Sequence, residues 1–100
     1  MSGSELVVVA RLQGRPEFRE AVGSILATAA AASRRDDGCL AYSFTRDVED
    51  PDSYLSVERW RDQAALEGHL KAAHLAASRA DLRGLLAGPA VIETYFILSA

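Results

Sequence analysis

The sequence has few of the residues that stabilise a fold covalently or hold a metal ion. Its 100 residues include one cysteine, two histidines and one tryptophan. The lone Cys39 excludes an internal disulfide, so we expect a reducing compartment and a cytoplasmic protein. A cysteine pair, a glycine-rich phosphate loop and a sequence cluster of metal ligands are all missing, so we expect no metal and no cofactor.

Long apolar runs and basic runs are also missing. The longest apolar candidate, residues 27–32, is too short to cross a bilayer and is followed by Arg34 and Arg35. Residues 1–5 have neither the basic nor the apolar region of an export signal. The formal net charge is -3 and the pI is about 5.3, whereas nucleic-acid-binding domains carry a basic face. We therefore expect neither a membrane nor a nucleic acid as a partner.

The residues that are present favour one ordinary globular domain over residues 1–100. Hydrophobic residues make up 49% of the sequence and charged residues 25%. Apolar alternation and turn residues predict strands over residues 6–12, 39–46, 54–60 and 91–98. One helix is predicted from Pro16 to about Arg35, and a second helical region, long or split, from Asp62 to Gly88.

The order β-α-β-β-α-β predicts an α+β fold of the ferredoxin-like, split βαβ type, with helices on one face of an antiparallel four-stranded sheet. The first and last strands, however, are apolar on both faces. Because the helices cover only one of these faces, the other would expose several large apolar side chains. We therefore expect a homodimer that joins sheet face to sheet face.

The residues best suited to chemistry lie between residues 54 and 74. Trp60 ends a strand, where its indole N–H could donate to a substrate or its ring could simply pack. Glu58 lies on the same side of that strand and could orient a histidine or form a salt bridge. His69 and His74 are each a candidate general base, since the unperturbed pKa of histidine is about 6.5, or a hydrogen-bonding residue at a helix end. On one continuous helix they would lie about 140° apart, so we do not expect them to bind a metal together.

Three stretches resemble the antibiotic biosynthesis monooxygenase domain family, whose members are small dimeric α/β-barrel proteins. They are VVVARL at residues 7–12, DGCLAYSFTRDVEDPDSYLSVERW at residues 37–60 and AALEGHLKAAHLAA at residues 64–77. With the closing apolar strand, the resemblance covers nearly the whole chain. It implies a ferredoxin-like dimer whose relatives oxygenate or rearrange small aromatic molecules, many of them without metal, flavin or haem.

The resemblance implies a cofactor-independent monooxygenase that uses dioxygen as co-substrate on a phenol, an anthrone or a quinol. In this interpretation Trp60, His74 and His69 are catalytic, and Glu58 and Tyr42 bind the substrate. An isomerase on the same fold and a non-catalytic dimeric module that binds a small ligand are the alternatives. Haem degradation is not expected, because the haem-binding residues of the family are replaced here, for example by Ala10 and Arg79.

Overall fold

A four-stranded antiparallel sheet carries the fold. In the computed structural model, which describes residues 4–98, the strands are β1 (Leu6–Gln13), β2 (Cys39–Arg46), β3 (Ser53–Trp60) and β4 (Val91–Phe96). They lie in the order β2-β3-β1-β4, and each neighbouring pair is antiparallel. The predicted α+β, split βαβ fold is confirmed. The last strand ends at Phe96, two residues before the predicted boundary.

Three α-helices follow the predicted order: α1 (Arg19–Ser33), α2 (Gln63–Leu70) and α3 (Ala73–Leu82). The first predicted helix begins as a 3-10 turn at Pro16–Phe18 before α1. The second helical region is split, because the amides of Lys71 and Ala72 close the end of α2 and Ala72 then takes an extended conformation. Within residues 4–98 no helix has both the length and the apolar character needed to cross a bilayer.

The helical prediction is wrong beyond Leu82, where α3 ends. Leu85 and Leu86 lie in a turn, and Leu86 forms an isolated bridge with Gly14 beside β1. The physical reason is a turn over residues 82–85, in which Arg83 leaves the helical conformation with a ψ of 125° and Gly84 takes a φ of 82°, which glycine adopts easily. The amide of Leu85 closes this turn by donating to the carbonyl of Leu82 at 2.9 Å.

Two local features bring the turn after α1 close to α2. Gly38 has a φ of 81°, and a Cβ built on it would lie 2.4 Å from the Cβ of Ala65, so the turn approaches α2 as closely as a glycine allows. Asp62 caps α2, because its carboxylate accepts a hydrogen bond from the amide of Ala65 at 2.9 Å. The predicted N-cap is confirmed. The amide of Arg61, just before this cap, donates to the carbonyl of Gly38 at 2.8 Å and holds the turn against the start of α2.

The helices cover one face of the sheet incompletely. Leu6, Val8 and Trp60 face them and are buried, whereas every residue of β4 is exposed. On the opposite face Val57 and Tyr95 are 41% and 50% exposed. The predicted apolar residues on the second face are therefore exposed, beside charged residues such as Arg11 and Arg59, and the dimer expected from this face remains a prediction.

Asp52 fastens the turn between β2 and β3 to the start of α1. Its carboxylate accepts hydrogen bonds from Nε and Nη2 of Arg19 at 2.9 and 2.8 Å. The hydrogen bond and the positive charge of Arg19 hold the pKa of Asp52 below its usual value. A lowered pKa contributes stability above the unfolded-state value and loses it as the pH falls through the folded-state value. The stabilisation is therefore present at neutral pH and disappears in acid.

We expect Asp52→Asn to lower the free energy of unfolding at neutral pH, measured by urea denaturation. The difference from the wild type should shrink as the pH falls below about 4 and through the lowered folded-state pKa, where the wild-type carboxyl group also becomes neutral. Asp81→Asn is the control, since Asp81 is exposed on α3 and forms no ion pair within residues 4–98. A difference that does not change with pH would contradict the role given to the Asp52 carboxylate.

Candidate active site

A cavity of about 690 Å³ lies between the helices and the face of the sheet that they cover. Its wall is mainly apolar, with Leu66 from α2 and Leu82 from α3 closing it opposite the sheet. It extends to β4, where Ile92 and Thr94 border it and are exposed. The volume is in the range of pockets that hold a small organic molecule.

Glu58 is the buried charge on the sheet side of this cavity. Its side chain accepts a hydrogen bond from Ser56 Oγ at 2.7 Å and one from Trp60 Nε1 at 3.0 Å. Residues 56, 58 and 60 face the same side because side chains alternate along a strand. Ser56 Oγ in turn accepts the amide of Ala10 on β1 at 3.0 Å. The carboxylate is therefore fixed in place by both of its oxygens.

Trp60 is fully buried beside the cavity and does not line it. Its only N–H donates to Glu58, and its ring lies against His69 with centroids 4.6 Å apart. The geometry therefore favours the packing interpretation over direct donation to a substrate. We treat Trp60 as a positioning residue that holds Glu58 and His69.

His69 lines the cavity from α2 and is 3% exposed. Its Nδ1 lies 2.7 Å from Oδ2 of Asp36. Since an ionised carboxylate only accepts hydrogen bonds, Nδ1 carries a proton, and in the tautomer with this single proton Nε2 has a free lone pair. Within residues 4–98 no side chain or backbone group is hydrogen-bonded to Nε2. The arrangement is that of a general base oriented by a carboxylate.

Asp36 also receives the second histidine. His74 Nε2, from α3, lies 2.9 and 2.8 Å from its two carboxylate oxygens. Burial alone would raise the pKa of Asp36, but the hydrogen bonds from His69 and His74 outweigh it and lower the pKa below the usual value. Asp36 is therefore ionised at neutral pH. Sequence analysis missed it, because it lies more than thirty residues before its partners, and the only signal is its place before Gly38.

The two histidines meet because they lie on different helices. Their ring centroids are 5.7 Å apart, and the ligand atoms of Asp36, His69 and His74 all lie within 4.8 Å of one another. The expected 140° separation assumed one continuous helix, so it is wrong for this pair. His74 borders a separate depression of about 270 Å³ between α1 and α3, so only His69 reaches the large cavity.

Tyr42 lies on the cavity wall, and its predicted role in substrate binding stays a prediction. It contacts His69 with ring centroids 5.6 Å apart. Burial, and then the nearby charge of Glu58, raise the pKa of Tyr42 above its ordinary value, so the phenol is neutral at physiological pH. Arg79 also borders the cavity and is a second residue that sequence analysis did not assign to the site. The structure thus places Tyr42, Glu58 and His69 on the wall of the cavity. Trp60 and His74 contact the ring of His69 but do not line the cavity.

The sequence profile described as antibiotic biosynthesis monooxygenase matches residues 5–81. The chain belongs to this family. The resemblance noted in the sequence is confirmed at the level of family and fold.

Relatives of known sequence and structure support this assignment. The Mycobacterium tuberculosis protein named "Putative monooxygenase Rv0793" is 30% identical over 89% of this chain and 87% of its own length. Its structure superposes with a TM-score of 0.90 at 28% identity, covering 97% of this chain and 98% of that one. A Pseudomonas aeruginosa structure, of PA3566, has a TM-score of 0.89 at 29% identity and covers 99% of both chains.

An uncharacterised protein from Synechocystis is 33% identical over 92% of this chain. The chain spans 63% of the length of that relative, which is therefore a longer protein. The similarity to it supports a shared domain and does not extend to the activity of the whole relative.

Ser56 offers a direct test of the buried network. We expect Ser56→Ala to lower the free energy of unfolding by about 1–3 kcal/mol, because it leaves one oxygen of the buried Glu58 carboxylate without its hydrogen-bond donor. Ser43→Ala, on the exposed face of β2, is the matched control and should change stability little. Urea denaturation measures both. Equal effects of the two substitutions would contradict the network.

Proposed function

We propose that this member of the antibiotic biosynthesis monooxygenase family is a cofactor-independent monooxygenase for a small aromatic substrate of the phenol, anthrone or quinol type. The observation that carries the proposal is the base formed by His69 and Asp36 on the wall of a mainly apolar cavity of about 690 Å³. An electron-rich aromatic molecule fits such a wall through its rings. The base then has to remove only the acidic hydrogen of this molecule.

The base starts the reaction. His69 Nε2 takes a proton from the substrate, and Asp36 stabilises the imidazolium that forms by keeping its hydrogen bond to Nδ1. The resulting carbanion or phenolate donates electrons to dioxygen. For an anthrone, the ring CH₂ group loses two hydrogens and becomes a carbonyl, one oxygen atom is incorporated, and the other leaves as water.

The remaining polar groups bind and orient the substrate. The carboxylate of Glu58 has acceptor capacity beyond its bonds to Ser56 and Trp60, and can hold a substrate hydroxyl. The neutral phenol of Tyr42 can donate to an oxygen that becomes negative during the reaction. The apolar remainder of the wall excludes water, which strengthens both interactions.

The first test is oxygen uptake by chelator-treated protein with a panel of anthrones and hydroquinones, after subtraction of spontaneous oxidation. We expect His69→Gln to lower the turnover number about 10²–10⁴-fold, because the base is lost. Asp36→Asn should also lower it, since the amide no longer stabilises the imidazolium.

Asp37→Asn is the matched control for Asp36→Asn, because the neighbouring Asp37 side chain is 93% exposed and does not contact either histidine. Turnover that is equal in wild type and His69→Gln would exclude His69 as the base. Conversion of a substrate without oxygen uptake, still dependent on His69, would replace the monooxygenase by an isomerase.

We also propose that the chain forms a homodimer through the outer sheet face. Val57 and Tyr95 lie exposed on adjoining parts of this face, and half-buried Val7 and Val9 lie between them on β1. An apolar area of this kind on a small domain is typical of an interface between subunits.

We expect Val57→Lys to convert the dimer to a monomer in sedimentation velocity, because it places a charge in the centre of the apolar face. Ala27→Lys adds the same charge to the exposed side of α1 and should leave the dimer intact. Wild-type protein that sediments as a monomer at high concentration would refute the proposed interface.

A further inference from the structure

Asp36, His69 and His74 form a group of three metal-ligand side chains that the proposed reaction only partly uses. We propose that they form a site for a divalent transition metal such as Zn²⁺, and that the bound ion blocks the base. The inhibitory part rests on the proposed function, whereas the binding itself does not. Two imidazoles and one carboxylate are ligands that zinc commonly uses in proteins.

The ligand atoms already converge. His69 Nδ1 and His74 Nε2 lie 2.7 and 2.8 Å from Asp36 Oδ2, and all three groups offer atoms within 4.8 Å of one another. Ligands around tetrahedral zinc at about 2.0–2.1 Å from the ion are roughly 3.3 Å apart. The two distances to Asp36 Oδ2 would therefore lengthen by about half an ångström, and the two histidine nitrogens, which lie within 4.8 Å of each other, would approach by up to about 1.5 Å as the side chains rotate around the ion. A water molecule would be the fourth ligand.

The surroundings allow an ion to enter. A surface depression of about 290 Å³ is lined by Asp36 and His69 together with Gly68 and Ala65. Arg61 also borders it, but its charge is balanced by Asp37 and Asp62 at 3.4 Å. The path from solvent to the ligand atoms thus lacks an uncompensated positive charge among the described residues.

Metal binding also requires the ring proton of each histidine to move to its other nitrogen. A metal on Nδ1 of His69 requires the ring proton to move to Nε2, the nitrogen that the base needs free. Likewise, a metal on Nε2 of His74 moves the proton to Nδ1, which has no other hydrogen bond within residues 4–98. Metal binding and base catalysis therefore require opposite tautomers of His69 and exclude each other.

Binding is tested on chelator-treated full-length protein with Zn²⁺ by calorimetry and with Co²⁺ by its visible absorption. We expect one ion per chain, and affinity at least about tenfold weaker in Asp36→Asn and in His74→Gln. Glu20→Gln, which removes an exposed carboxylate at the start of α1 and outside the cluster, should bind like the wild type. Circular dichroism checks that each variant is folded, and His74→Gln keeps the test valid if Asp36→Asn does not fold.

Either of two results would overturn the site: no saturable binding to the wild type, or equal affinity in the wild type and folded His74→Gln. Because neither measurement needs a substrate, a failure of the proposed monooxygenase activity leaves this test unchanged. Where turnover is observed, added Zn²⁺ should abolish it and a chelator should restore it. Full turnover at saturating Zn²⁺ would overturn the inhibitory role while leaving the binding site in place.

Discussion

The carboxylate of Asp36 connects three parts of the chain that are otherwise separate. It lies in the turn after α1 and receives one histidine from α2 and one from α3. Its side chain is 18% exposed, so its charge is partly removed from water, and the two N–H donors compensate for that loss. Without this carboxylate neither ring would have a partner at the nitrogen that now faces it. The break between α2 and α3 therefore allows both histidines to reach the same carboxylate.

A second carboxylate, Glu58, organises the sheet side in the same way. The two networks are joined through the contact between the rings of Trp60 and His69, whose centroids are 4.6 Å apart. Glu58 fixes Trp60 by a hydrogen bond, Trp60 limits the positions open to His69, and Asp36 fixes the tautomer of His69. A substitution at any of these positions should therefore disturb the others, as is usual for residues that share one hydrogen-bonded network.

Much of this arrangement can be predicted from the sequence. Alternation within the strands, the N-cap at Asp62 and the stop at Gly38 define the elements, and their order defines the fold. The segment with Glu58, Trp60 and His69 is also recognisable, because rare residue types are concentrated in it. The sequence does not show which partner each side-chain hydrogen-bonding group faces. The indole N–H of Trp60 points to Glu58 because Glu58 lies two residues away on the same strand face, and that bond competes with any substrate.

The role of Asp36 could not be predicted from the sequence, for a different reason. Its partners are distant in sequence, and their meeting depends on a helix break that has no proline or glycine to mark it. The break results from where α2 closes at Lys71 and Ala72 and where α3 can begin against α1, which is a tertiary effect. The same applies to Leu85 and Leu86, whose helical spacing is real but is overridden by the left-handed Gly84.

The two faces of the sheet fit one division of function. The covered face holds the cavity, with Glu58 and His69 at its inner end and Ile92 and Thr94 at the exposed edge formed by β4. The outer face presents Val57 and Tyr95 to solvent and also carries the ion pair of Arg59 with Glu5. In the proposed dimer the outer faces pack together, so the charged groups of the covered face stay outside the interface. Alternate residues of the same strands would then face the dimer interface and the cavity. Such a dimer would account for the apolar residues on both sides of β1 at residues 6–10.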